Sequence, residues 1–133
     1  MNQNEARQNP RTIVIQKLYG HHLNKDFEIT FPKHRYKKFI KDIVNGTIER
    51  KELIQYLMNR ELKVDINENK TELMIKLMIM AAIYEFMFMH KTPVKVVITE
   101  YLKTADFFVQ ESQKGYLNAI LEKVSKVSRI KNE

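Results

Sequence analysis

Two places in the sequence pair a cation with an aromatic ring at helical spacing. Arg7 and Arg11 precede Tyr19, which falls two turns beyond Arg11 on the adjoining face, and Lys114 stands beside Tyr116. A cation for phosphate and a ring for base stacking is the combination that recognition of single-stranded RNA asks for. Spacing alone does not say whether the two sites meet in space. The other titratable side chains point away from catalysis. His21 and His22 are neighbours, so on a helix they diverge by about 100° and do not chelate one ion from one face, while His34 and His90 stand alone. Glu85 lies inside an apolar run, where a carboxylate needs a partner. A structural bond to a capping group or to a basic residue of a neighbouring helix is expected there, because no second catalytic group accompanies it.

The sequence contains no G-x-G-x-x-G, G-x-x-x-x-G-K or H-E-x-x-H motif, so phosphate-cradling loops and helical zinc sites of those kinds are absent. Without cysteine, disulfides and zinc–thiolate sites are excluded. The expectation is a binding protein and not an enzyme, with no metal and no cofactor. A formal net charge of +7 favours a polyanionic partner. Two further basic clusters, Lys33 to Lys41 and Lys123 to Lys131, read as solvated faces.

These residues must be positioned by helices. At 133 residues, 44% hydrophobic and 29% charged, the chain fits one globular domain spanning 1–133. Three glycines and three prolines are too few turn formers for a many-stranded sandwich or barrel. The fold class expected is all-α, a single compact bundle of about five to seven helices. The polar stretch Met1 to Asn9 has no apolar core, so it is not a secretory signal. The longest apolar run, Leu73 to Met89, is short for a span and carries Lys76 and Glu85. It reads as a buried central helix, with no membrane involved and a cytoplasmic location.

Along the chain, Asn9 caps a first helix that opens at Pro10, with Val14, Ile15, Leu18, Tyr19, His22 and Leu23 on its apolar face. Asn24 to Pro32 is a connector. A second run from Lys33 carries Tyr36, Phe39, Ile40, Ile43 and Val44, and its period resumes past Gly46 with Ile48, Leu53, Ile54 and Leu57. One glycine costs a helix only about 1 kcal/mol, so a single long helix weakened at Gly46 is expected, followed by a loop at Val64 to Asn69. Thr71 to Met89 forms the central helix. Thr92 caps the next, with Pro93 at its first position and Val94, Val97, Ile98, Tyr101, Leu102 and Ala105 buried. Ser112 caps a last helix that buries Tyr116, Leu117, Ile120, Leu121, Val124 and Val127. Residues 1–9 and 128–133 are expected to be flexible ends.

Thr92 to Glu100 reads T-P-V-K-V-V-I-T-E, and Tyr116 to Lys123 reads Y-L-N-A-I-L-E-K. Together they resemble the bacterial NusB family's C-terminal signature, V-P-x-x-V-x-I-N-E, a helix, then F-V-N-G-V-L-D-K. Ala82 to Phe86, A-I-Y-E-F, is similar to the family's A-x-Y-E-L, and Arg11 with Gln16 to Tyr19 resembles its arginine run and Q-x-L-Y. The matches are collinear and span most of the chain. The resemblance implies a transcription antitermination factor that pairs with the ribosomal protein NusE. The pair binds single-stranded boxA RNA of ribosomal RNA leader transcripts within an RNA polymerase antitermination complex. It places RNA contacts on Arg7, Arg11, Tyr19, Lys114, Tyr116 and Asn118, and the partner surface near Leu53 and Ile75. The chain departs from the pattern in a thinned arginine run, in Thr99 for Asn, in Ala119 for Gly, and in Met80 where arginine is common. Fewer cations imply weaker and less salt-sensitive RNA binding. Two alternatives stand beside this reading: a helical interaction module with weak or lost RNA binding, and the accessory domain of an RNA methyltransferase system. Monomer and homodimer both stay open.

Overall fold

The computed structural model describes residues 9–62 and 73–129. These form six helices, α1 (Pro10–Leu23), α2 (Lys37–Glu49), α3 (Lys51–Leu62), α4 (Leu73–Phe88), α5 (Val94–Phe108) and α6 (Glu111–Ser128). No strand occurs among the described residues. The helix α4 is apolar nearly all round, with Ile75, Leu77 to Ile83, Glu85 and Phe86 buried. A helix without a polar face is stable only when enclosed, and α4 packs against each of the other five.

Asn9 caps α1 as expected, its side chain accepting the Arg11 N–H at 2.9 Å with Pro10 in the first turn. The buried arc differs from the expected stripe. Arg11, Thr12, Ile13, Val14, Ile15 and Leu18 are buried, because α2, α4 and α5 all pack on α1. His22 and Leu23, expected on the apolar face, are exposed.

The predicted long second helix is two helices, and it breaks at Arg50 and not at Gly46. Gly46 sits within α2, where a Cβ would overlap the Tyr84 ring of α4. Its role is close approach of two helices, not weakness of one. The expected loop at Val64 to Asn69 lies outside the described residues, as do residues 1–8 and 130–133.

Two caps also differ. Val94 opens α5 with Pro93 at the N-cap, one residue later than expected. At the start of α6, Gln110 is the N-cap, and the Gln113 side chain accepts its N–H at 3.1 Å, so Ser112 is an ordinary helical residue. The buried face of α6 is Leu117, Ile120, Leu121, Val124, Ser125 and Ser128, while Val127 is exposed.

At the end of α6, Ser128 and Arg129 make side-chain hydrogen bonds to backbone carbonyls. Ser128 is buried and its hydroxyl donates to the Val124 carbonyl. Arg129 Nε donates to the Phe86 carbonyl at 2.9 Å, and Nη2 donates to the Glu85 and Met89 carbonyls at 2.9 and 3.2 Å. Its other terminal nitrogen donates to the Thr92 carbonyl. A helix end leaves four carbonyls without intrahelical donors, and α4 has neither a basic residue in its last turn nor a glycine after it. One planar guanidinium supplies donors to Glu85 and Phe86 and to the turn that follows, and the His90 ring meets the Met87 carbonyl. No helix among the described residues is long and apolar enough to cross a membrane.

Candidate nucleic-acid interface

A buried ion pair ties α1 to α4. Arg11 Nη2 and Nε donate to Glu85 Oε1 and Oε2 at 2.7 and 3.0 Å, a bidentate arrangement between α1 and α4. Arg11 is 7% exposed and Glu85 0%. The guanidinium lies 5.0 Å from the Phe39 ring centroid and 5.6 Å from that of Tyr101. Burial opposes the Arg11 charge most strongly, but the bond to Glu85 together with the electrostatic attraction of Tyr101, Glu85 and Glu100 holds the guanidinium above its ordinary pKa. The Tyr101 phenol, enclosed in α5, is pushed well up, first by burial and then by the Glu85 charge.

The expected basic partner of Glu85 on a neighbouring helix is therefore present, and it is Arg11. This removes Arg11 from the set of side chains open to RNA, because its fork is filled by a carboxylate. The wheel carried the signal: Arg11 shares a face with Val14, Ile15 and Leu18 at steps of three, four and seven. The expectation of an RNA contact at Arg11 gives too little weight to that apolar stripe.

Tyr19 and Tyr116 are half-buried, each packed by part of its ring against the core and open at the rest. Asn118 is half-buried on α6. Lys114 carries ion pairs to Asp106 at 2.6 Å and Glu111 at 3.7 Å. The Asp106 bond raises its pKa, so its charge is compensated within the protein. Arg7 lies outside the described residues. Leu53, on α3, is 41% exposed and flanks Tyr56 at 61%, whereas Ile75 is 2% exposed and belongs to the core. A partner cannot touch Ile75 without opening the bundle.

The topology brings the two tyrosine sites to one end without joining them. Arg11 meets Glu85 near the end of α4, and Leu18 lines a cleft with Leu77 near its start, so α1 is antiparallel to α4. Arg129 meets the end of α4, so α6 runs parallel to it. Tyr19 and Tyr116 both fall toward the start of α4. Among the described residues α1 and α6 do not touch; both pack on α4 and α5. No cluster of three or more carboxylates and histidines able to hold a metal ion occurs among those residues.

An all-helical bundle locked by one buried ion pair, with half-open tyrosines on two helices, is the class that fold and site define. Its family follows from comparison. The family model described as the NusB family matches residues 3–126. The transcription antitermination protein NusB of Coxiella burnetii (strain CbuK_Q154) is 32% identical over 117 residues, 87% of this chain and 76% of that protein. The transcription antitermination protein NusB of Bradyrhizobium sp. (strain ORS 278) is 29% identical over 116 residues, 87% of this chain and 69% of that one. The solved structure of T. maritima NusB superposes with a TM-score of 0.75 over 90% of both chains at 23% identity, which extends the likeness to the fold. The chain belongs to the NusB family.

Proposed function

We propose that this protein is a transcription antitermination factor that binds boxA-type single-stranded RNA together with the ribosomal protein NusE. The observation that carries the reading is the family match over residues 3–126, within which Tyr19 and Tyr116 stand half-open at one end of the bundle. Stacking rings are sequence-tolerant anchors for unpaired bases, and Asn118, half-buried on the same helix as Tyr116, offers an amide to a base edge. Arg7 is the arginine of the N-terminal run left to meet phosphate, since Arg11 holds Glu85. RNA polymerase performs the chemistry of elongation, and this protein contributes binding to the assembly.

Titration of boxA-type RNA, with and without NusE across a salt series, tests the reading. NusE should tighten binding. Tyr19→Ala and Tyr116→Ala should each weaken it by about 5- to 150-fold, the loss of one stacked base. The log–log salt slope should be shallow, about −0.7 for each phosphate met. Binding indifferent to RNA sequence, to NusE and to both tyrosines would leave a helical interaction module with residual charge attraction. The compensated Lys114 and the buried Arg11 are the observations on that module's side.

A further inference from the structure

A second concave site opens beside α1 at the end of the bundle toward which Tyr19 falls, with neither tyrosine among its described lining residues. It is a cleft of about 460 Å³ enclosed by α1, the connector after it, α2, α3 and α4, with no residue of α5 or α6 in its wall. That volume falls within the range of small-molecule sites. The floor is apolar, formed by the buried Leu18, Leu77 and Met80. The mouth is basic: Lys25, Lys51 and Lys76 come from three different elements, joined by His21 and His22. No carboxylate is among the described lining residues.

Charges of one sign do not gather in a concavity without reason, because a low-dielectric wall strengthens their repulsion. Lys51 is held below its ordinary pKa by burial first and by the Lys25 ammonium second. Lys38, by contrast, is paired with Asp42 at 2.8 Å on the open face of α2. Thr47 lines the same cleft at 2% exposure, with its hydroxyl enclosed and, like those of Thr12, Tyr101 and Thr104, without a hydrogen-bond partner.

We propose that this cleft is a binding site for a nucleoside phosphate, with the phosphates held by Lys25 and Lys51 and the nucleoside laid on the apolar floor. The enclosed shape suits one nucleotide unit and not a strand, which needs an open groove to run through. The apolar floor separates the site from a bare anion trap. The assignment does not depend on RNA binding at the tyrosines, neither of which is among the described lining residues.

Calorimetric titration of the full chain with ATP, with tripolyphosphate and with adenosine tests it, alongside thermal unfolding of each variant. ATP should bind saturably, tripolyphosphate at least about tenfold more weakly, and adenosine not measurably. Lys25→Gln and Lys51→Gln should each weaken ATP about tenfold or more, the loss of one charge-assisted contact. Neither should lower the melting temperature of the free protein, since each relieves repulsion. Lys95→Gln on α5, and Tyr116→Ala, should leave ATP affinity unchanged. Tripolyphosphate binding as tightly as ATP would overturn the nucleoside assignment. Absence of saturable ATP binding, indifference to Lys25 and Lys51, or loss through Tyr116→Ala would overturn the site.

Discussion

At the scale of single residues, the Arg11–Glu85 pair decides how mutations in this family member must be read. Both groups are desolvated, so the attraction between them mainly offsets the cost of burying them. Breaking the pair from one side leaves a lone charge among Phe39, Tyr101 and Phe86. Arg11→Ala should therefore destabilise the fold by about 3–5 kcal/mol in urea denaturation, a value typical of an orphaned buried charge. Replacing both partners, as Arg11→Met with Glu85→Leu, should recover most of that loss. A single Arg11→Ala cost below about 1 kcal/mol, the range of exposed ion pairs, would mean the arginine is solvated after all. The consequence for function is direct. Weakened RNA binding in Arg11→Ala would reflect a displaced α1, and a contact role is testable only in the doubly substituted protein.

At the scale of elements, most of the helices were legible because their signals are local. Asn9-Pro10 set the start of α1, and the unbroken apolar run fixed α4 as the enclosed helix. What was not legible depended on partners far along the chain. Gly46 is the clearest case. Propensity reads it as a weak point worth about 1 kcal/mol, whereas Tyr84 occupies the place its side chain would take. The two views predict opposite signs for Gly46→Ala. Relief of a weak point would stabilise the protein, while overlap with the ring should destabilise it by about 1–3 kcal/mol, the usual cost of overpacking. Thermal denaturation decides, and Tyr84→Leu in the same chain should rescue the loss. Arg129 was missed for the same reason. Nothing near it in sequence announces that the carbonyls it caps belong to a helix ending some forty residues earlier.

At the scale of the whole molecule, the formal charge of +7 is distributed rather than focused. Of the 23 lysines and arginines behind it, Lys114 and Lys38 are neutralised by local carboxylates, Arg11 is buried against Glu85, and Lys25 and Lys51 line the cleft beside α3. Sequence alone counted these cations without being able to tell which were already answered. The candidate partner surface divides in the same way. Of the two positions that the resemblance offered, Ile75 is enclosed by the bundle, and only Leu53 is open. It lies three residues from the still more open Tyr56, on one face of α3. Large apolar side chains at that exposure are costly to leave in water unless a second protein covers them, and tyrosines are frequent anchors of interfaces. On the proposed reading, Leu53→Ser with Tyr56→Ser should cost at least about 2 kcal/mol of NusE binding, roughly thirtyfold. RNA binding by the protein alone should be unaffected, because Tyr19 and Tyr116 lie on other helices. Calorimetry with NusE and RNA titration without it separate the two effects. Equal NusE affinity in the substituted and natural chains would move the partner to another face of the bundle.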